Sequence, residues 1–203
     1  MGRRSEAREK LIDAARTLMW DRGFVDVGVQ ELCAEAGVRP GSFYYFFPSK
    51  AALTVEALEA QWRTFSDEIL EPALALENPL DRLRHFFSTL HRSFRETHQA
   101  TEHVGGCPFG NMSGELQALD EPIRDKLREM FDRQLAFFET ILRDARDRGL
   151  ISAEDVPAKA RAVLAMHQGM QTLAHTYNDP DVIEALTPEV FRLLGVESAA
   201  SET

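Results

Sequence analysis

Cysteine is scarce in this chain, and long apolar runs are missing from it. Its two cysteines, Cys33 and Cys107, do not form a CxxC pair, so the sequence predicts neither a disulfide framework nor a zinc site of the cysteine type. No stretch approaches the roughly 20 consecutive apolar residues that a membrane-spanning helix needs. The opening residues, MGRRSEAREK, lack the apolar segment of a secretory signal. We therefore expect a cytoplasmic protein with no membrane partner.

Known catalytic motifs are also missing. The sequence contains no GxSxG, HExxH, phosphate-binding loop or dinucleotide-binding fingerprint. Its six histidines do not pair with carboxylates at the spacing of metal ligands. The sequence therefore argues against an enzyme and predicts neither a cofactor nor a metal.

The acidic charge is unevenly distributed along the chain. A net charge of −10 at pH 7 is unfavourable for binding nucleic acid. Residues 1–50, however, carry eight lysines and arginines against seven acidic residues, whereas residues 51–203 carry fifteen against twenty-six. The first fifty residues can therefore still present a basic face.

Apolar residues recur at intervals of three and four along nearly the whole chain, which predicts an all-α fold. We expect a first helix capped by Ser5 and ended by Gly23, and a second, short helix ended by Gly37. A third short helix is predicted from about residue 40 to 46, since proline is tolerated in a first turn and Pro48 prevents continuation.

The later part of the chain contains longer helices. A fourth helix, capped by Ser49 and ending near Pro72, is predicted to connect a domain of residues 1–50 to a domain of residues 51–203. Further helices are expected to begin at Pro79 and Pro108, with a looser segment from about Thr97 to Gly106 between them. The two longest should span roughly residues 122–148 and 157–177, and a short one residues 187–195, before a frayed end.

Residues 23–53 carry the most specific signature, GFVDVGVQELCAEAGVRPGSFYYFFPSKAAL. Two short helices joined by a glycine-containing turn, after an amphipathic helix, describe a helix-turn-helix. The Gly-Phe pair, the Ala-Gly-Val turn, the segment GSFYYFF and the capped Lys-x-x-Leu each match the DNA-binding signature of the TetR family. The chain therefore resembles TetR-type repressors, over about a quarter of its length by motif and over the rest by helix order.

The resemblance implies which residues face double-stranded DNA. Phe43 and Phe47 are expected to fill the small core of this domain, while Cys33 is expected to be a buried packing residue. Where the family has Thr or Ser before the second helix, this chain has Val27-Gly28, so a capping and phosphate-binding hydroxyl is lost. The expected phosphate contact is Lys50, and the recognition positions are Arg39, Pro40, Ser42, Tyr44 and Tyr45.

The resemblance also implies a homodimer that binds a palindromic operator and releases it when a small-molecule inducer binds. In the family, the last two long helices pair with those of a second subunit. Here that pairing is expected to use two stripes: Ile123, Leu127, Phe131, Phe138, Ile141 and Leu142, and Val163, Leu164, His167, Met170, Leu173 and Ala174.

The inducer pocket is the least specific prediction, because aromatic stripes are more often plain core. Cys107 could instead act as a thiol sensor of electrophiles or oxidants at the start of a helix, although a buried role at a glycine-rich bend is favoured two to one. A helical binding or architectural protein without sequence-specific DNA recognition is the remaining alternative. The predicted pocket residues are Trp62, Phe65, Phe86, Phe87, Cys107, Phe109, Met112 and Phe131.

Overall fold

The computed structural model describes residues 2–115, 120–152 and 154–196, and these residues form helices and no strand. A single π-helical turn, Ser66–Leu70, lies between the fourth and fifth α-helices. The α-helices are α1 Gly2–Arg22, α2 Val29–Glu35, α3 Pro40–Phe46, α4 Lys50–Phe65, α5 Glu71–Leu74, α6 Pro79–Thr101, α7 Pro108–Ser113, α8 Glu121–Asp147, α9 Val156–Tyr177 and α10 Asp181–Leu193. The prediction of an all-α fold is confirmed.

The first of two compact units combines residues 1–65 with residues 108–131. The connector helix of the sequence prediction, α4, belongs to this unit because it packs along α1. Gln61 of α4 accepts hydrogen bonds from Arg16 Nε at 3.1 Å and Trp20 Nε1 at 3.2 Å, and Arg8 pairs with Glu56 at 2.8 Å. Helix α4 thus packs within the first compact unit, and the domain boundary at residue 50 stays a prediction from sequence.

The second unit combines residues 66–107 with residues 132–203. Helix α10 packs against both α6 and α9. Side chains cap two of its helices: Asn78 accepts from the backbone of Leu80 at 2.9 Å, and Asp155 accepts from Ala158 at 3.0 Å. An ion pair of 2.8 Å between Arg82 and Asp144 links α6 to α8.

Most predicted helix ends agree with the structure, and three differ. Helix α1 begins at Gly2, so Ser5 lies inside it and donates to Glu9 instead of capping the helix. Helix α6 continues to Thr101, through residues expected to be looser. Helix α10 begins at Asp181, six residues before the expected start, and contains Pro188. The predicted fraying beyond residue 196 lies outside the described residues.

The two stripes predicted to pair between subunits are instead largely core of the single chain. Ile123, Ile141 and Val163 are fully buried, and the adjoining residues of both stripes are buried too, apart from Phe131, Leu164 and Leu173. Periodicity identifies the buried face of a helix but does not show whether the same chain or a second subunit packs against that face. The sequence prediction therefore assigned to the dimer a face that packs within the single chain. None of the described helices is long and apolar enough to cross a lipid bilayer.

Gly37→Ala is expected to lower the free energy of unfolding by about 1 kcal/mol, because a Cβ is strained at the positive φ of this residue. Urea denaturation measures the change. Gly41→Ala is the matched control: Gly41 lies in α3, and a Cβ added there would meet nothing within 4 Å beyond its own helix, so this variant should be neutral or slightly stabilised. Equal destabilisation of both variants would contradict a special role for Gly37.

Candidate DNA-binding surface and regulatory core

The turn between α2 and α3 is built on a left-handed glycine. Gly37 has a φ of +63°, and the backbone N–H groups of Gly37 and Val38 donate to Ala34 and Cys33 at 3.2 and 2.8 Å. These bonds satisfy carbonyls at the end of α2. Pro40 then occupies the first turn of α3. The turn predicted from sequence is therefore confirmed in its geometry.

Helix α3 has one buried and one exposed face. Phe43 and Phe47 are 0% and 2% exposed, as the sequence predicts, whereas Tyr44 and Tyr45 are 66% and 64% exposed. The Phe43 ring contacts the Tyr44 ring edge-on, with centroids 5.2 Å apart, so the buried ring also supports the exposed one.

Three of the remaining predicted recognition residues lie at the start of α3. Arg39 and Pro40 are exposed, and Ser42 is half-buried with its backbone N–H donating to Arg39 at 2.8 Å. Gly28 precedes α2 in an extended conformation without a side-chain cap, and the helix forms nevertheless. Of the sequence-predicted recognition positions in α3 and at its start, all are exposed except the half-buried Ser42.

The surroundings of Lys50 differ from the expectation that its side chain is free to contact a phosphate. Its Nζ donates to the carbonyl oxygens of Phe24 at 2.6 Å and Val27 at 2.9 Å, and it lies 3.9 Å from the centre of the Phe24 ring. Burial lowers the pKa of Lys50, and the negative charges of Glu115 and Asp120 oppose that shift. An ammonium has three donors, and these two carbonyls occupy two of them.

Glu115, which the sequence did not single out, anchors the loop between α1 and α2. Its carboxylate accepts from the backbone N–H groups of Phe24 at 3.2 Å and Val25 at 3.0 Å. A Cβ on Gly23 would lie 2.1 Å from Glu115 Oε1 and would displace this carboxylate, and the φ of +83° favours glycine at this position. Partners about ninety residues apart leave no signal in sequence periodicity.

The predicted pocket residues are divided between the two compact units. In the first unit, the ring centroids of Trp62, Phe65 and Phe109 are 5.9 to 6.4 Å apart, and Met112 is buried. Phe131 belongs to the same unit and is half-buried. Phe86, Phe87 and Cys107 belong to the second unit.

The aromatic core of the second unit surrounds a histidine. The centroid of Phe86 lies 5.0 to 5.3 Å from those of Phe87, Phe137, Phe138 and His167. Complete burial lowers the pKa of His167 to about 3, so the imidazole is neutral at physiological pH. Sequence periodicity placed His167 on a buried stripe but not among these rings.

The second unit also contains two buried glutamines, Gln134 and Gln171. Gln171 Nε2 lies 3.0 Å from His167 Nε2. Gln134 Oε1 accepts from Gln168 Nε2 at 3.1 Å. Among the side chains described, Gln134 Nε2 is the one buried nitrogen or oxygen without a hydrogen-bond partner. Such a group costs about 1–3 kcal/mol when buried.

Both cysteines are buried. Cys33 is 0% exposed, as predicted, and burial raises the pKa of its thiol. Cys107 is 6% exposed and directly precedes α7, next to Gly106 with its φ of +72°. This placement fits the buried role at a glycine-rich bend that sequence favoured for Cys107.

One described cluster has the donor types of a metal site. Ligand atoms of His91, Asp181 and Glu184 lie within 4.8 Å of one another. His91 Nε2 is 2.8 Å from Asp181 Oδ1, and Arg95 Nε is 3.9 Å from the same oxygen. The hydrogen bond with His91 lowers the pKa of Asp181. With an arginine already beside the carboxylate, the cluster joins α6 to α10 as an ion-pair network.

Two family models cover this architecture. Residues 11–57 match the bacterial regulatory proteins of the tetR family, and residues 79–189 match the tetracyclin repressor-like C-terminal domain. The chain belongs to the TetR family of transcriptional regulators. The resemblance read from residues 23–53 is confirmed, and so is the helix-turn-helix followed by a larger helical domain. Proteins of this family bind operator DNA and function as dimers with small-molecule ligands.

Known TetR-family proteins are similar over most of the chain. An uncharacterised HTH-type transcriptional regulator of Lactococcus lactis is 28% identical over 180 residues, 88% of each chain. The transcriptional repressor NemR of Escherichia coli is 26% identical over 78% of each chain. The crystal structure of its reduced form has a TM-score of 0.82 at 23% identity, covering 95% of this chain and 100% of that one.

A second solved structure extends the same relationship. The regulatory protein TetR of Rhodobacter sphaeroides is 29% identical, with a TM-score of 0.80 over 92% of this chain and 98% of that chain. We conclude that the chain of 203 residues is itself a helix-turn-helix transcriptional regulator of the TetR family.

Glu115→Gln is expected to lower the free energy of unfolding by about 1–3 kcal/mol, because one of the two loop N–H groups would face an amide NH2 instead of a carboxylate oxygen. Urea denaturation measures the loss. Glu35→Gln is the control, since Glu35 is exposed at the end of α2, and surface changes of this kind alter stability by less than about 0.5 kcal/mol. A Glu115→Gln variant as stable as wild type would show that the carboxylate does not anchor the loop.

Proposed function

We propose that this TetR-family protein represses transcription by binding a palindromic operator as a homodimer, and that a small-molecule inducer releases it. The observation that carries the proposal is the two-faced helix α3, with Phe43 and Phe47 buried and Tyr44 and Tyr45 exposed. An exposed, rigidly supported helix of this size can enter a major groove. Operator binding would place the protein in the cytoplasm with the DNA.

The exposed residues have the chemistry that operator recognition requires. Arg39 can donate two hydrogen bonds to guanine or hold a phosphate. Ser42 and the hydroxyls of Tyr44 and Tyr45 can donate to phosphate oxygens, and Pro40 fixes the start of the helix. Lys50 contributes chiefly by holding the loop before α2, through the carbonyls of Phe24 and Val27.

The outer face of α9 is the part of the late helices best suited to pair with a second subunit. Ala165, Gly169, Leu173 and Tyr177 lie four residues apart along one exposed ridge, with Leu173 39% and Tyr177 69% exposed. A ridge of small and apolar residues at this spacing packs closely against a symmetric copy. Dimerisation through α9 therefore retains one of the two helices expected from sequence, with its face corrected.

A thiol sensor acting through Cys107 remains a second form of the same regulator. The relative NemR was crystallised in a reduced form. Against this alternative, Cys107 is 6% exposed, and a thiol reacts as an exposed thiolate. Release by a non-covalent ligand is therefore the proposal that the geometry favours.

Tyr44→Ala should weaken binding to the protein's own upstream operator at least about tenfold, because each good contact to DNA contributes roughly 1–3 kcal/mol and the dimer loses two. Fluorescence anisotropy at one fixed salt concentration measures the affinity. Leu74→Ala, which truncates an exposed apolar side chain outside α3, is the control. Unchanged affinity of Tyr44→Ala with the fold intact would remove Tyr44 from the DNA surface.

Leu173→Asp should convert the dimer to a monomer, because it places two charges in an apolar interface close to the twofold axis. Sedimentation velocity measures the mass of the species. Leu150→Asp is closely matched, since Leu150 is 38% exposed against 39% for Leu173 and lies outside α9. A dimeric Leu173→Asp protein would show that the interface lies elsewhere.

A further inference from the structure

Two charged side chains hold the backbone of the loop between α1 and α2. Lys50 Nζ donates to the carbonyl oxygens of Phe24 at 2.6 Å and Val27 at 2.9 Å. The Glu115 carboxylate accepts from the N–H groups of Phe24 at 3.2 Å and Val25 at 3.0 Å. Hydrogen bonds with one charged partner are about twice as strong as neutral ones. We call these four hydrogen bonds the loop clamp.

The loop clamp holds the chain at the point where α2 begins. Val27 directly precedes Gly28, which starts α2 without a side-chain cap. Helix α2 has seven residues, too few to form a stable helix in isolation, so its position depends on the loop before it and on its packing. Because α2 packs against both α1 and α3, we expect a shift of the loop to move α3 as well.

The charge of Glu115 cannot account for a favourable contribution to DNA binding. DNA is a polyanion, and a carboxylate on the unit that binds it opposes association through repulsion. A favourable effect of Glu115 on operator binding must therefore come from the position of the loop that it holds. Because position and charge change the affinity in opposite directions, an experiment can separate them.

We propose that Glu115 is a positioning residue for operator recognition. Through the loop clamp it sets the position of α2, and thereby the alignment of Arg39, Tyr44 and Tyr45 with the operator. The inference rests on the proposed operator binding, and it assigns part of the sequence specificity to a residue about ninety positions beyond the loop. Contacts to base edges require alignment, whereas non-specific binding depends on charge.

Glu115→Gln tests the positioning role, because it removes the charge with little change of shape. Fluorescence anisotropy at one fixed salt concentration measures the affinity of the full-length protein for an operator duplex and for a scrambled duplex of the same length. The operator affinity is expected to fall at least about tenfold, because both half-sites of the dimer lose alignment. The affinity for the scrambled duplex is expected to stay equal or to rise, because a negative charge is removed.

Two results with Glu115→Gln would overturn the proposal. The first is a ratio of operator affinity to scrambled-duplex affinity that equals the ratio of wild type. The second is an equal fall of both affinities, because a general loss of structure weakens both kinds of binding. Circular dichroism of the same samples measures whether the variant is folded.

Glu35→Gln is the matched control for charge. Glu35 is exposed at the end of α2, so this variant removes the same charge from the same compact unit and leaves the loop clamp intact. Its two affinities are expected to stay equal or to rise together, which keeps the wild-type ratio. A ratio lowered as far as in Glu115→Gln would assign the effect to charge and would contradict the positioning role.

Gly23→Ala decides the proposal if Glu115→Gln does not fold. A Cβ on Gly23 would lie 2.1 Å from Glu115 Oε1, so this variant displaces the carboxylate and keeps its charge. Gly149→Ala is the control for backbone strain, since Gly149 has a φ of +69°, has open space around it and lies in the second unit. Gly23→Ala is expected to lower the affinity ratio and Gly149→Ala to keep it. A wild-type ratio in Gly23→Ala would reject the proposal.

Failure of this inference is distinguishable from failure of the proposed function. Wild-type protein that binds the operator no better than the scrambled duplex would reject the proposed repressor. Specific binding by wild type, together with an unchanged affinity ratio in Glu115→Gln, would reject the role of Glu115 and leave the repressor intact.

Discussion

The left-handed turn at Gly37 orients α3, the helix that we propose to enter the DNA groove. Because the chain reverses there, Phe43 and Phe47 enter the core of the first unit while Tyr44 and Tyr45 face outward. Both sets of aromatic residues lie within the five positions 43–47, and the turn decides which set is buried. A buried face that resists rotation of α3 keeps the exposed tyrosines in a defined orientation, as the proposed contact with DNA requires.

The loop before α2 is held from two sides by charged groups that bind backbone rather than each other. Lys50 Nζ binds the carbonyls of Phe24 and Val27, and the Glu115 carboxylate binds the N–H groups of Phe24 and Val25. A helix that lacks a side-chain N-cap at Gly28 thereby starts from an anchored loop. Glu115, which follows α7, is through these two hydrogen bonds in direct contact with the loop of the helix-turn-helix domain.

The second unit combines tight aromatic packing with polar groups that it does not fully satisfy. A core built for stability alone would replace Gln134 and His167 with apolar residues. His167 lies against the rings of Phe86, Phe87 and Phe138, and the buried Gln134 keeps an unpaired Nε2 among the described side chains.

Local sequence determined the helices, the left-handed turn, the buried Phe43 and Phe47 and the exposed Tyr44, because each depends on periodicity, proline or glycine within a few residues. Only the tertiary structure decided which part of the chain covers each apolar stripe, and that Lys50 and Glu115 bind the loop before α2. It also decided that His167 lies among the phenylalanine rings of the second unit. Periodicity identifies a face but not its neighbour, and contacts between residues dozens of positions apart arise only when the helices pack.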